Sequence, residues 1–441
     1  MRKTFTLAFV SALLIFTTAF MVAAGTSSPL ASSSATYEWW HGEYATGDWF
    51  GLRTTLADHG ITPSLGYSGN FAANPVGGHS QGAAHSASFH LAYAIDFAKL
   101  FKNDALNGLT LGNTWVWRFG DSLTHERLGN AFTVQQNYGN QTIRMQSLFL
   151  QYYTDVSWGQ LRFKAGRFAA GDEFMTHYYN WLYQNNAIDG NPVGVFYQTR
   201  WSAYPAGAWA ALLETRTHDG KYVRAGVYQL NTDAQDSEKR HGLDWSFRGL
   251  GVNLNVEAGW DINHDDSGKA PSSFSFGLVS DWYNAPRLDD PDATRRYNCT
   301  LYAQGDCMLY NQGLPTNFDS RKNSDDAYKY LRGLSLWGVV QYAPREDLAK
   351  MPLFLNGGLF YRGLLPQRES DLLCFGLAYG HFSRKLTDDR RNRFETMLEL
   401  NYKYQLTRFA SIQPNVQYII KPSGGQAPNA LVLGVQYAVT F

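Results

Sequence analysis

The sequence predicts an all-β protein, a transmembrane antiparallel β-barrel of about 16 strands with a short N-terminal helix on its periplasmic side. Three observations predict this fold. Only 17% of the 441 residues are charged, whereas 15% are aromatic. Many segments of roughly ten residues alternate between apolar and polar side chains, as the strands of membrane barrels do. The chain also ends on such a segment, with Phe441 as its last residue.

The composition excludes several other classes of protein. The 38 Lys and Arg residues balance 38 Asp and Glu residues, whereas a nucleic-acid-binding chain normally carries a basic excess. A bundle of membrane helices needs apolar runs of about 20 residues, and the mean hydropathy of -0.34 is too low for it. Three cysteines are too few for a disulfide framework. A large β-rich protein, either soluble or embedded in a membrane, remains.

The N-terminus has the pattern of a secretory signal peptide, which we assign to residues 1–35. Arg2 and Lys3 form its positive end, and an apolar stretch with small residues after it follows. Cleavage is expected after Ala24, with Ala31 and Ala35 as alternatives. A membrane-anchor helix is the competing interpretation, but two threonines interrupt the apolar run and no charged residue stops it. The pattern predicts export.

The final segments of the chain alternate most clearly. In ALVLGVQYAVTF (430–441), large apolar side chains occupy every odd position, and the even positions are mostly small or polar. Residues 394–407 and 410–422 repeat this pattern, with charged and amide side chains on the second face. Successive strand side chains point to opposite faces. A β-sandwich facing water also alternates, but the number and length of the segments and the aromatic residues near their ends favour a barrel.

The barrel is assigned to residues 61–441. Its predicted strands begin near Ile61, Ser86, Leu109, Ile143, Gly159, Val193, Gly207, Lys221, Phe247, Ser272, Leu331, Leu353, Leu372, Phe394, Ala410 and Ala430. A barrel of this size encloses an aqueous channel instead of a packed interior.

Two segments depart from the alternation. Residues 36–60 are assigned to a periplasmic helical segment, in which Asp48 caps a short helix that ends near Gly60. Residues from about 285 to 330 are rich in Asp, Asn, Arg and Pro, and they predict a long loop, extracellular or folded into the channel. Cys299 and Cys307 lie in this predicted loop, and a disulfide between them is reasonable in an exported protein. Two free cysteines are the alternative.

Several motifs resemble a known family. They are GDWFGLRTTLADHGITPSLGYSGNFAANPVGG (47–78), FKAGRFAAGDEF (163–174), GLFYRGLLPQRESDLLCFGLAYGHFS (358–383) and IQPNVQYIIKPSGGQAPNALVLGVQYAVTF (412–441). On these segments the chain resembles the carbohydrate-selective porins of the OprB type from Gram-negative outer membranes. The resemblance implies a sixteen-stranded barrel that passes sugars, or similar small polyhydroxylated solutes, by diffusion. The middle of the chain, from about residue 218 to 332, carries less of it.

Strand parity nominates residues for the lining of the channel. A sugar needs hydrogen-bond donors and acceptors and flat apolar surfaces at a constriction, and Arg offers several donors in a planar fork. The solute-binding residues predicted from parity are Arg118, Arg162, Lys164, Arg362, Glu395, Glu399, Asn401, Lys403 and Gln417. Arg167 and Asp172 are added because they lie in the family-like segment FKAGRFAAGDEF, where the strand ends and a loop begins. For any one of them, a solvated charge of the lumen or rim is the alternative.

No cofactor, metal or enzymatic activity is expected. The expected partners are a carbohydrate solute, outer-membrane lipid and the barrel assembly machinery, the last through the strand that ends at Phe441. Nucleic acid is not expected. The main alternative is a secreted β-sandwich that binds glycans. A hydrolase with Ser80 as nucleophile is a weaker one, because the pattern G-x-S-x-G at residues 78–82 joins two predicted strands, whereas a nucleophile elbow leads into a helix.

Overall fold

The computed structural model describes residues 39–139, 141–230, 240–247, 249–265, 267–316, 318, 324–388 and 392–441. Within these residues, sixteen antiparallel strands form one closed barrel, in which β1 pairs with β16. The strands are β1 (Ile61–Val76), β2 (Gly82–Asp96), β3 (Leu109–Gly120), β4 (Ile143–Val156), β5 (Gly159–Phe168), β6 (Ala208–Thr217), β7 (Lys221–Leu230), β8 (Gly251–Ile262), β9 (Ser272–Pro286), β10 (Thr294–Asn311), β11 (Gly333–Tyr342), β12 (Leu353–Arg362), β13 (Leu372–His381), β14 (Phe394–Gln405), β15 (Ala410–Ile420) and β16 (Ala430–Thr440). The predicted fold class is confirmed, and the β-sandwich is excluded. The predicted signal peptide lies outside the described residues.

The barrel is apolar outside and polar inside, because its strands alternate. In β8, Asn255 is 1% exposed, whereas its neighbours Leu254 and Val256 are 38% and 46% exposed. A soluble protein buries its leucines and exposes its amides. The inverted pattern places the apolar face where lipid surrounds a membrane barrel and the polar face around the lumen.

The two ends of the barrel differ. The terminal end carries residues 39–60 and the C-terminus, and several of its connections are tight, such as 157–158 and 218–220. The loop end carries the longer connections 121–142 and 169–207. We call residues 169–207 the lumenal segment, because its side chains contact the inner wall of the barrel.

Among the elements that lie wholly within the described residues, four are short α-helices, namely α1 (Leu52–Asp58), α2 (Phe97–Phe101), α3 (Gly194–Gln198) and α4 (Pro422–Gly425). The predicted N-terminal helix is confirmed as α1, but its N-cap residue is Gly51 and not Asp48, which lies three residues earlier. The Asp48 carboxylate accepts hydrogen bonds of 2.9 Å from the amide and the hydroxyl of Thr54. Arg53 joins the helix to the barrel seam, since its guanidinium donates to the carbonyl of Phe441 at 2.8 Å. Among the residues that the structure describes, no helix has the length and apolar character needed to span a bilayer.

One predicted strand and one predicted loop are wrong. A strand was expected near Val193, where the structure has α3 within the lumenal segment. A long loop was expected at about 285–330, but residues 294–311 form β10, so only the stretches on either side of it are connections. The inward face of β10 carries Asn298, Gln304 and Asp306, all buried. This polar face makes a spanning strand resemble a loop in composition.

The cysteines do not form the disulfide that the sequence suggested. Cys299 and Cys307 are free, and both lie on β10. Eight residues of strand separate their Cα atoms by roughly 26 Å, whereas a disulfide needs Cα atoms within about 7 Å. Cys374 is also free and is buried on β13.

A hydrophobic core lies inside the barrel, between the lumenal segment and part of the wall. It includes Tyr183 and Ile188 of the segment and Trp337 and Met397 of the wall, all at most 2% exposed. Gly376 of β13 makes room for it, since a Cβ at this position would lie 2.6 Å from Ile188 and 2.7 Å from Tyr183. The segment is therefore packed against one side of the wall, which leaves space on the other.

Candidate functional site

The lumenal segment divides the interior of the barrel into a packed half and an open half. On one side it packs against β11–β16, and through a second buried cluster it also packs against β6, β7, β9 and β10. On the other side, a cavity of about 970 Å³ lies between the segment and the wall formed by β1–β5, with Gln436 of β16 at its edge. We call this space the constriction cavity, because the lumenal segment narrows the interior of the barrel here.

The packed half is held by buried acceptors on the wall. Glu399 accepts hydrogen bonds of 2.9 Å from the backbone amides of Gln184 and Asn185 and a third, of 2.8 Å, from the Asn401 side chain. Gln417 accepts from the Asn185 side chain at 2.8 Å. These contacts satisfy backbone groups of the segment that would otherwise be buried without a partner.

Glu395 plays the same part for the connection 121–142. Its carboxylate accepts from the backbone amides of Ala131 at 2.7 Å and Phe132 at 3.0 Å. Glu395, Glu399 and Gln417 are each 0% exposed. They face into the barrel as their parity predicts, but the connections cover them, so their positions do not fit the pore lining proposed from the sequence. The same holds for Asn401, which is 2% exposed and donates to the Leu182 carbonyl.

Arg118 of β3 lies on the constriction cavity, as the sequence suggested. Its guanidinium donates to the carbonyl of Gly139 at 3.3 Å and lies 4.9 Å from the ring of Tyr204, a residue of the lumenal segment. The Tyr204 hydroxyl is 3.4 Å from the hydroxyl of Ser88 on β2. A planar cation, an aromatic ring and two hydroxyls therefore meet at one point of the channel wall.

Asp189 of the lumenal segment borders the same cavity as Arg118 and is attracted by its charge. Burial raises the pKa of the Asp189 carboxyl well above its usual range, and the attraction of Arg118 opposes this rise only in part. The amide of Gln136 lies between Asp189 and Gln436. With its nitrogen toward the carboxyl group, it donates to Asp189 Oδ1 at 2.7 Å and accepts from Gln436 at 3.2 Å. Amide and carboxyl groups thus form a row of donors and acceptors across the channel.

Arg162 and Lys164 form an ion-pair cluster at the border of the cavity. Glu173 contacts Arg162 at 2.6 Å and Lys164 at 2.7 Å, and Arg162 also contacts Glu214 at 2.9 Å. Burial alone would raise the pKa of Glu173, but Lys164 and Arg162 hold that pKa below its usual value. The cluster extends along the wall to Arg224 and Glu257, 3.0 Å apart, so charges of both signs are matched locally.

Arg167 and Asp172 fix the beginning of the lumenal segment. Arg167 is 3% exposed and donates to the carbonyls of Asp244 and Gly207, so it supports the loop end instead of lining the channel. Asp172 accepts from Gln146 at 2.8 Å and borders the constriction cavity.

Arg362 and Lys403 belong to a different space. They border a cavity of about 880 Å³ at the terminal end, which we call the mouth cavity. The sequence-predicted residues are therefore not one site. Arg118, Lys164 and Asp172 border the constriction cavity, Arg362 and Lys403 border the mouth cavity, and the others hold the segment or its surroundings.

The sequence and the fold are both similar to known proteins. The family model described as "Carbohydrate-selective porin, OprB family" matches residues 80–441. The chain belongs to this family. Porin B of Pseudomonas aeruginosa is 27% identical to this porin over 446 residues, which cover 90% of this chain and 91% of Porin B. The putative porin QuiX of Acinetobacter baylyi is 23% identical over 436 residues, which cover 90% of this chain and 93% of QuiX.

The barrel also matches solved structures. The high-pH structure of Pseudomonas putida OprB has a TM-score of 0.78 with this porin at 23% identity, and the match covers 91% of this chain and 99% of that one. The resemblance inferred from the sequence motifs is confirmed, and the protein is an outer-membrane sugar porin.

Sequence reasoning missed two aromatic residues that border the constriction cavity. Trp181 and Phe196 of the lumenal segment border the cavity and are 50% and 41% exposed. They lie in a segment with no regular alternation, so strand parity could not assign them to a face. The one signal in the sequence was their position just after FKAGRFAAGDEF, in a stretch too long for a turn.

The weaker alternative, a hydrolase, gains nothing from this geometry. Ser80 lies in the connection between β1 and β2, and its hydroxyl accepts from Arg127 at 3.4 Å. The residues after it enter β2 directly, without the helix that positions a nucleophilic serine.

Proposed function

We propose that this porin passes neutral, hydroxyl-rich solutes through the constriction cavity by passive diffusion, and that Arg118, Lys164 and Asp172 contribute to the solute path. The observation that carries the proposal is the lining of the cavity. It combines a planar donor, amide and carboxyl acceptors and exposed aromatic rings within one space. A sugar has hydroxyls around its rim and an apolar face, so it matches both kinds of surface at once.

The charge of the cavity favours uncharged solutes. Its charged lining consists of two cations, Arg118 and Lys164, and three carboxyl groups, Asp172, Glu173 and Asp189. The raised pKa of Asp189 lowers its negative charge, and Glu173 is paired with Lys164. An ion entering this space gains little from a field that is nearly balanced, whereas hydroxyls can exchange hydrogen bonds with water along the row of amides.

The remaining expectations about the setting of the barrel are part of the proposal. We infer that residues 1–35 are a signal peptide removed on export and that the terminal end, with α1, faces the periplasm. The exposed apolar side chains of the strands would contact lipid. The strand that ends at Phe441 would be recognised by the barrel assembly machinery.

Sugar-dependent current through single channels tests the proposal. Trp181→Ala removes the most exposed aromatic ring of the cavity lining, and we expect the glucose concentration for half-maximal reduction of the current to rise up to about tenfold. Trp158→Ala is the matched control, since Trp158 is 46% exposed on the turn 157–158, outside the cavity. Sugars that never reduce the wild-type current would refute sugar selectivity, and equal effects of the two substitutions would refute the role of Trp181.

A further inference from the structure

The mouth cavity differs from the constriction cavity in its charge. Among the residues that the structure describes, its charged lining consists of four cations and two carboxylates, namely Lys329, Arg362, Lys403, Arg408, Glu43 and Glu369. The constriction cavity has two cations and three carboxyl groups. The described lining of the mouth cavity therefore carries an excess of positive charge that the lining of the constriction cavity lacks.

The carboxylate of Glu369 is already occupied. It pairs with Arg332 and accepts from the amide of Thr316 at 2.7 Å. Asp371, nearby on the same connection, is likewise bound to Arg368 at 2.7 Å and to the hydroxyl of Tyr402 at 2.7 Å. These carboxylates are satisfied by other groups, so they do not neutralise Arg362 and Lys403.

Arg362 and Lys403 are adjacent on the inner wall. Arg362 is opposite Leu372 in the pairing of β12 with β13, and Leu372 is opposite Lys403 in the pairing of β13 with β14. Two strand spacings separate them, about 10 Å between Cα atoms. Among the described residues, neither forms an ion pair with a carboxylate within 4.0 Å.

Most of the donors of Arg362 have no partner among the residues that the structure describes. Its Nη1 donates to the carbonyl of Ser370 at 3.3 Å, while its buried Nε has no hydrogen-bond partner among the described residues. A guanidinium with free donors binds an oxyanion through two parallel hydrogen bonds, and an ammonium group beside it adds a point charge. Tyr330, whose ring lies 5.9 Å from this guanidinium, and the Ser411 hydroxyl border the same space.

We propose that the mouth cavity is a second solute site, which binds the oxyanion group of a hydroxylated acid through Arg362 and Lys403. Its ligands are polyhydroxylated solutes that carry a carboxylate or a phosphate, and the tyrosine and serine side chains take the hydroxyls. The inference extends the proposed function from neutral sugars to their anionic derivatives. It concerns a different cavity, so each can fail without the other.

Current block by three solutes tests the site: gluconate, inorganic phosphate and glucose, added in turn to either side of a bilayer that holds single channels. In Arg362→Gln/Lys403→Gln, we expect the half-blocking concentration of both anions to rise at least about tenfold, the effect of losing one charge-assisted hydrogen bond. The half-blocking concentration of glucose should stay unchanged in this variant. The more strongly blocking anion shows whether carboxylates or phosphates are the preferred ligands.

Two further variants keep the test decisive. Lys269→Gln removes an exposed charge from a turn at the same end but outside the mouth cavity, and we expect no change in block by either anion. Arg362→Lys keeps the charge, so anion block should be largely retained, which separates loss of charge from loss of folding. The site is refuted if neither anion blocks the wild type, if Lys269→Gln shifts anion block as much as the double variant, or if the double variant shifts glucose and gluconate equally. Absence of glucose block alone would refute the proposed function and leave this site intact.

Discussion

The wall of the barrel has two halves that obey the same alternation but serve different purposes. Along β1–β5, inward side chains such as Thr114 and Arg118 border an open cavity. Along β11–β16, inward side chains such as Glu399 and Gln417 are covered by the lumenal segment and hydrogen-bonded to it. Parity shows only that a side chain points into the barrel. Whether it meets solute or protein depends on where the connections fold.

The largest expected effect is a difference in stability. Removing one inward polar group from the packed half should lower the free energy of unfolding more than removing one from the open half. Glu399→Ala leaves the amides of Gln184 and Asn185 buried without an acceptor, and we expect a loss of roughly 3 kcal/mol in unfolding free energy. Thr114→Ala on the open half should cost less than about 0.5 kcal/mol. Thermal unfolding in detergent measures both.

The conductance of the same variants sharpens this test. With its anchor gone, the lumenal segment should move more freely in Glu399→Ala, so single-channel current should become noisier, whereas Thr114→Ala should keep the wild-type noise. Equal losses of stability in the two variants would show that the halves do not differ as described.

A smaller effect is expected from adding one methyl group at the packed interface. In Gly376→Ala, the new Cβ would lie 2.6 Å from Ile188, and overpacking of this kind costs about 2 kcal/mol. Gly338→Ala is the matched control, since its new Cβ would meet nothing closer than 3.8 Å. A lower unfolding temperature for the first variant alone is the expected result. Equal temperatures would mean that the segment does not press on β13.

The sequence predicted the barrel well and the interior poorly, for a physical reason. Lipid outside and water inside impose a period of two on every strand. The strands near both ends of the barrel sequence, and the inward direction of Arg118 and Glu399, could therefore be predicted from the alternation. Inside the lumen, the lumenal segment contacts both polar groups and a small hydrophobic core, so its apolar and polar residues follow no regular period. The buried apolar residues around Val193 therefore have a sequence pattern typical of a strand. The polar residues of β10 have a composition typical of a loop.

The residues that border the constriction cavity were only partly predictable for the same reason. Arg118 lies on a strand, and its parity identified it. Trp181, Asp189 and Tyr204 lie on the lumenal segment, whose path depends on anchors such as Glu399 that are distant in the chain. No local pattern encodes such a path.

The smallest expected effect is a change in the pH dependence of stability, caused by Glu173 at the border between the two halves. The pKa of Glu173 in the folded protein is lowered from its ordinary 4.5, so its ion pairs stabilise the fold above that pH. This stability is lost as the pH falls through the lowered pKa. A carboxyl pKa that folding lowers by one pH unit contributes about 1.4 kcal/mol to the free energy of unfolding.

Glu173→Gln should remove this part of the acid sensitivity. Unfolding temperatures measured from neutral pH down to about pH 3 should therefore fall less steeply in Glu173→Gln than in the wild type. Glu126→Gln, at an exposed position of the connection 121–142, should keep the wild-type slope. Identical slopes for all three proteins would contradict the assigned ion pairs.

The most direct experiment asks which half of the lumen solute reaches. Single cysteines at Thr114, on the constriction cavity, and at Ala378, 0% exposed beneath the lumenal segment, can be compared in a background with Cys299, Cys307 and Cys374 replaced by serine or alanine. A charged, water-soluble thiol reagent should reduce the current of Thr114→Cys rapidly, and glucose should slow the reaction. Ala378→Cys should not react. Rapid modification of Ala378→Cys, or no glucose protection at Thr114→Cys, would contradict a solute path between the lumenal segment and β1–β5.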